Sequence, residues 1–86
     1  MKYSVRWREE ASDELASIWL KSAPDERRKV TAAADAIDKA LGSRPTQCGE
    51  SRSEVRRIFF IEPLVVIFQL SEPDRTVNVL QVWRAS

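Results

Sequence analysis

Residues 64–70, LVVIFQL, are apolar on both sides of any strand they form. Leu64, Val66, Phe68 and Leu70 fall on one face, Val65 and Ile67 on the other. A strand of that kind sits in the middle of a sheet, with neighbours on both edges and cover on its faces. A chain of 86 residues must find those neighbours and that cover within one small domain, 1–86.

Two more strands lie beside it in sequence. Residues 55–61, VRRIFFI, precede it across Glu62-Pro63. Residues 76–83, TVNVLQVW, follow it across the turn residues 71–75, SEPDR. The three predict an antiparallel meander. At the other end of the chain, residues 3–8 alternate, with Tyr3, Val5 and Trp7 on one face and Ser4, Arg6 and Arg8 on the other. That predicts a short strand of the same sheet.

Between these lies helical periodicity. Ala11, Leu15, Ile18 and Trp19 fall at i, i+4, i+7 and i+8, and Glu9, Glu10, Asp13 and Glu14 load the first turns with negative charge, where the helix dipole favours it. Ser22 is expected to cap a second helix, with Pro24 in its first turn and Asp25 at the reciprocal capping position. This helix shows the stripe Val30, Ala33, Ala34, Ile37 and Leu41, and Gly42 is expected to end it. Residues 43–54, SRPTQCGESRSE, read as a polar loop. The order is β-α-α-β-β-β: an α+β fold, with a helical hairpin on one face of a small, mainly antiparallel, curved sheet.

Two helices cover one sheet face only. The remaining face carries Val65 and Ile67 on the central strand. Strict alternation on the last strand puts Val77, Val79 and Trp83 on one side, Leu80 and Val82 on the other. An apolar second face calls for curvature or a partner.

Residue types exclude several mechanisms. The chain has no histidine and one cysteine, Cys48, so no intrachain disulfide, Cys/His zinc site or Ser-His or Cys-His nucleophile pair can form. Cys48 lies in the polar loop and reads as incidental. No metal or cofactor is expected. The opening MKYSVRW lacks the apolar core of a secretory leader, and no apolar run approaches the ~20 residues of a membrane span. The expected location is the cytoplasm, with no membrane partner. A net charge of +1 is far from the basic excess of a nucleic-acid binder.

The cations that remain are arginines. Arg52, Arg56 and Arg57 crowd the start of the 55–61 strand, and Arg84 follows Trp83. Three roles are open to them. They could pair with acidic groups on a protein partner beside Trp83 as an aromatic anchor. They could hold a scissile phosphate, with Glu50, Glu54 or Glu62 as base. They could be a charged edge that discourages sheet aggregation. Alternation puts Arg57 with Val55, Phe59 and Ile61, and Arg56 with Ile58 and Phe60, so the pair cannot face one ligand from a regular strand.

With this order in place, the chain resembles the RelE/ParE superfamily of bacterial toxins from type II toxin–antitoxin modules. The resemblance rests on the opening strand and the helix face Ala11, Leu15 and Ile18. It also rests on LVVIFQL followed by DRTVNVLQVWR, and on Arg56-Arg57 ahead of the middle strand. It implies a growth-inhibiting toxin, of the kind used in plasmid stabilisation, that a cognate antitoxin neutralises and assembles with. RelE-like members cleave mRNA in the ribosome without a metal, using cations on the sheet and a tyrosine near the C-terminus. Here Val65 stands where the middle-strand cation would be, and the single tyrosine is Tyr3. The resemblance is therefore closer to the ParE-like branch, which acts on DNA gyrase. It implies target or antitoxin contacts at Arg56, Arg57, Val65, Ile67, Trp83 and Arg84. The alternatives are a RelE-like ribosome-dependent endoribonuclease using Arg52, Arg56, Arg57 and Arg84, and a non-toxic binding module.

Overall fold

The structure, a computed structural model, describes residues 2–53 and 55–85. The elements follow the expected order: β1 (Ser4–Trp7), α1 (Glu9–Lys21), α2 (Pro24–Ser43), a 3-10 turn (Pro45–Gln47), β2 (Glu50–Ser51), β3 (Arg56–Ile61), β4 (Leu64–Ser71) and β5 (Thr76–Arg84). The sheet order is β1-β5-β4-β3-β2. β4 is central, as its two apolar faces require. β3, β4 and β5 form the antiparallel meander, and β1 adds parallel to β5. Arg75, at φ +50°, turns the chain out of β4, and its carbonyl accepts the Ser4 N–H at 2.9 Å. The turn thereby sets where β1 starts.

The core lies between the helical hairpin and one sheet face. Ala11, Val30, Ala33, Ile37 and Leu41 pack with Leu64, Val66, Phe68, Val77, Val79 and Val82. The helices form because their apolar stripes find this face; propensity alone would not hold helices of this length in water.

Four local expectations are corrected. The helix cap is Ala23, not Ser22. Ser22 is buried, and its hydroxyl donates to the Ile18 carbonyl at 2.7 Å. The reciprocal capping position therefore moves one residue on, to Glu26. Gly42 does not end α2, which runs on to Ser43. The Gly42 carbonyl instead accepts the Tyr3 N–H at 2.7 Å, tying the helix to the β1 end of the chain.

The polar loop is the third correction. It holds the 3-10 turn and the two-residue strand β2, so the sheet has five strands where about four were expected. Cys48 is buried there, and burial raises its thiol pKa, which disfavours the nucleophilic thiolate. Gly49 sits at φ +64°, and any Cβ at this position would run into the Ile58 carbonyl. Gly49→Ala is therefore expected to detach residues 45–51 from β3. Thiol labelling of Cys48 should accelerate by at least about tenfold as this segment opens. A labelling rate equal to that of the original chain would show that the segment is held some other way.

The fourth correction concerns β5. A bulge shifts the β4–β5 register between Ile67/Phe68, so Phe68 pairs with Val79 and Ile67 with Gln81. Leu80 is the extra residue. Strict alternation grouped Trp83 with Val77 and Val79. The bulge sends Val82 to the core beside Val66 and turns Trp83 to the other face beside Val65.

Candidate functional site

The face away from the helices has a polar end and an apolar end. Cross-strand pairing builds rows across it: Arg56–Gln69–Asn78, then Ile58–Ile67–Gln81, then Phe60–Val65–Trp83. Glu50 joins the middle row through its pairing with Ile58. At the apolar end Phe60 is 56% exposed and Trp83 38% exposed. Two large rings in water in one row are unusual for a chain with so little core to spare.

A groove of about 930 Å³ runs along this face. Arg52, Ser53 and Arg56 line one wall, Ile67, Leu80 and Trp83 the floor, and Arg8, Glu10 and Glu14 the opposite wall. The second wall exists because the chain enters α1 directly beside β5, where the Arg8 N–H donates to the Val79 carbonyl at 3.0 Å. The groove is electrically mixed, with three guanidinium groups and two carboxylates around a floor in which Gln69 and Gln81 lie among the apolar residues. Arg52 is placed by its backbone, whose N–H reaches the Arg56 carbonyl at 2.8 Å.

The structure thus separates the residues singled out by sequence. Arg52, Arg56, Val65, Ile67 and Trp83 share the open face. Arg57 and Arg84 do not. Arg57 pairs with Phe68 on the core side, and its guanidinium donates to the carbonyls of Cys48 at 2.8 Å and Gly49 at 2.9 Å. It props the 45–51 segment, so removing Arg56 and Arg57 together tests the fold as well as the surface. Arg84 turns to the hairpin, where it meets Glu26 at 2.9 Å and the Ser22 hydroxyl at 3.0 Å. Of the carboxylates considered as bases, Glu50 is on the open face, Glu62 lines a recess beside Arg84 on the helix side, and Glu54 lies outside the described residues.

The Arg84 guanidinium, by hydrogen bond and charge, holds the Glu26 carboxyl below its ordinary pKa of 4.5. Stability from this pair is complete above that ordinary value and is lost as pH falls through the lower folded one. Glu26→Gln should therefore flatten the acid limb of a pH–stability profile while leaving the profile near neutrality with the same shape. An acid limb of unaltered steepness would assign acid sensitivity to other carboxylates.

Sequence reasoning missed Arg8, Glu10, Glu14, Phe60 and Leu80 as parts of this surface. Phe60 could have been found, since alternation already placed it with Arg56. Arg8 and the two glutamates could not, because only the packing of α1 against β5 brings them there.

A helical hairpin on one face of a mixed five-stranded sheet, with an open groove on the other, defines the class. No protein-family profile and no curated protein matches the chain. Solved structures do. The toxin–antitoxin complex RelBE2 from Mycobacterium tuberculosis superposes with a TM-score of 0.78 at 21% identity, over 100% of this chain and 95% of that one. The chromosomal ParDE system from P. aeruginosa gives 0.75 at 19% identity, over 99% and 98%. The isolated E. coli RelE toxin gives 0.65 at 17%, over 98% and 85%. The chain has the RelE/ParE fold. Among the described residues no helix is long and apolar enough to cross a membrane.

Proposed function

We propose that this chain is the toxin of a type II toxin–antitoxin module, neutralised by a cognate antitoxin, and that it acts in the ParE-like manner by docking a protein target such as DNA gyrase. The observation that carries the reading is the row Phe60–Val65–Trp83, whose two rings are exposed, continuing into a mixed-charge groove. Protein interfaces are built this way, from aromatic anchors inside a polar rim. The antitoxin partner is supported by the fold shared with RelBE2 and ParDE, which are themselves toxin–antitoxin systems. Purified chain added to a gyrase supercoiling reaction should inhibit it, and prior addition of the antitoxin should restore it.

A second reading has its own support. Arg8, Arg52 and Arg56 meet in one groove with Glu10 and Glu14, a set that could hold a phosphate and move a proton at an RNA 2′-hydroxyl. In that case mapped mRNA cleavage in a coupled translation reaction would appear, with supercoiling unaffected. If induction of the gene leaves growth unchanged and neither reaction responds, the chain is a binding module on this fold and both toxin readings fall.

A further inference from the structure

The outward side of α2 carries a charge pattern with a symmetry of its own. Asp25, Arg28, Ala32, Asp35 and Lys39 are all exposed. At 3.6 residues per turn they fall within about a quarter turn of one another. They lie opposite the buried stripe of Val30, Ala33, Ile37 and Leu41. In chain order the stripe reads negative, positive, small, negative, positive. Read backwards it is opposite in sign at every charged position. Two copies laid antiparallel, crossing at Ala32, would therefore set each Asp25 against the other copy's Lys39 and each Arg28 against the other's Asp35.

The surface beside the stripe suits such a contact. Trp19, Pro24, Arg28, Thr31, Ala32 and Asp35 line one shallow groove along it. Leu20, 66% exposed, borders the adjoining apolar groove between the helices. The Trp19 ring is fixed in place, because the Arg27 guanidinium stacks 4.3 Å from its centroid while donating to the Trp19 and Leu20 carbonyls. The small residue Ala32 at the crossing point allows two helices to approach closely, and the fixed ring beside it offers an apolar contact.

We infer that the outer face of α2 is a self-association surface, whose partner is a second copy of this chain in an antiparallel, two-fold arrangement. A surface that is its own complement under reversal is what an isologous contact requires. Opposed charges set the register, and the apolar groove beside them supplies the buried area. The inference does not depend on the toxin reading, since it uses neither the open sheet face nor a target.

Sedimentation equilibrium on the purified full chain, from about 1 µM to about 1 mM, is expected to show a monomer–dimer equilibrium that weakens with added salt. Arg28→Asp and Asp35→Arg should each raise the dissociation constant by about tenfold or more. The double variant Arg28→Asp/Asp35→Arg restores the complementary pattern, so its constant should return to within about threefold of the original. Ala32→Glu sets two carboxylates against each other at the crossing and should leave only monomer. All these positions are exposed, so far-UV circular dichroism should show each variant folded. A chain that stays monomeric throughout, single reversals without effect, or a double variant no better than the singles would each overturn the proposal. So would a monomeric chain in which Ala32→Glu abolishes capture of a different protein.

Discussion

Replacing Phe68 with alanine is expected to cost about 3–5 kcal/mol, the range for emptying a fully buried aromatic site. Phe68 has no exposed surface and sits on the central strand between Arg57 of β3 and Val79 of β5. A chain of 86 residues has about 4–13 kcal/mol of total stability. The loss is therefore about a quarter of it at least, and the melting temperature should fall by roughly 12–40 °C. Phe60→Ala provides the control. It removes the same side chain from the neighbouring strand, but from the open face, where the ring is already 56% exposed. Its cost should stay below about 1 kcal/mol. Thermal denaturation of the two variants side by side checks the assignment of the faces. Equal losses would mean that the open face is packed in solution.

The contrast between two phenylalanines shows how much of the fold was written in the pattern of residues. Alternation in 55–61 and 64–70 already set Phe59 and Phe60 on opposite faces and Phe68 opposite Val65 and Ile67, and the pairing of the strands then assigned Phe59 and Phe68 to the core side. The same alternation predicted that Arg56 and Arg57 diverge, and they do. Where the reading failed, a tertiary interaction had overruled a local rule. Strict alternation misassigned Val82 and Trp83 because of the bulge at Leu80. The signal was present, since Val77, Val79 and Val82 are spaced two and then three apart, and a slip of one reverses the faces. β2 was invisible for a different reason. A two-residue strand in polar sequence is specified by its pairing with β3 and by the Arg57 props, neither of which leaves a periodicity. Ser22 failed as a cap because its hydroxyl reaches back to Ile18 and serves Arg84, a partner 62 residues away. The groove was half legible. Arg52 and Arg56 stood out, but the wall formed by Arg8, Glu10 and Glu14 depends on how α1 docks against β5.

Trp83→Ala should then have the largest functional effect of any change that leaves the chain folded. The ring is exposed, pairs across the sheet with Val65, and shares the groove with Arg52 and Arg56. If a protein target docks here, Trp83 is its anchor, and truncating an anchor costs about 2 kcal/mol or more, a loss of affinity of about thirtyfold. The concentration needed to inhibit supercoiling should rise by that factor, and induction in cells should become tolerable. Arg52→Ala and Arg56→Ala remove rim charges whose contribution is smaller and screened by salt, so each should shift inhibition by less than about tenfold. The order of these effects separates the two toxin readings. Phosphodiester chemistry would depend on the cations, so that Arg56→Ala would abolish cleavage while Trp83→Ala only weakened substrate binding. A folded Trp83→Ala chain as potent as the original would remove the open face from the account of toxicity altogether, and with it the reason to favour a protein target.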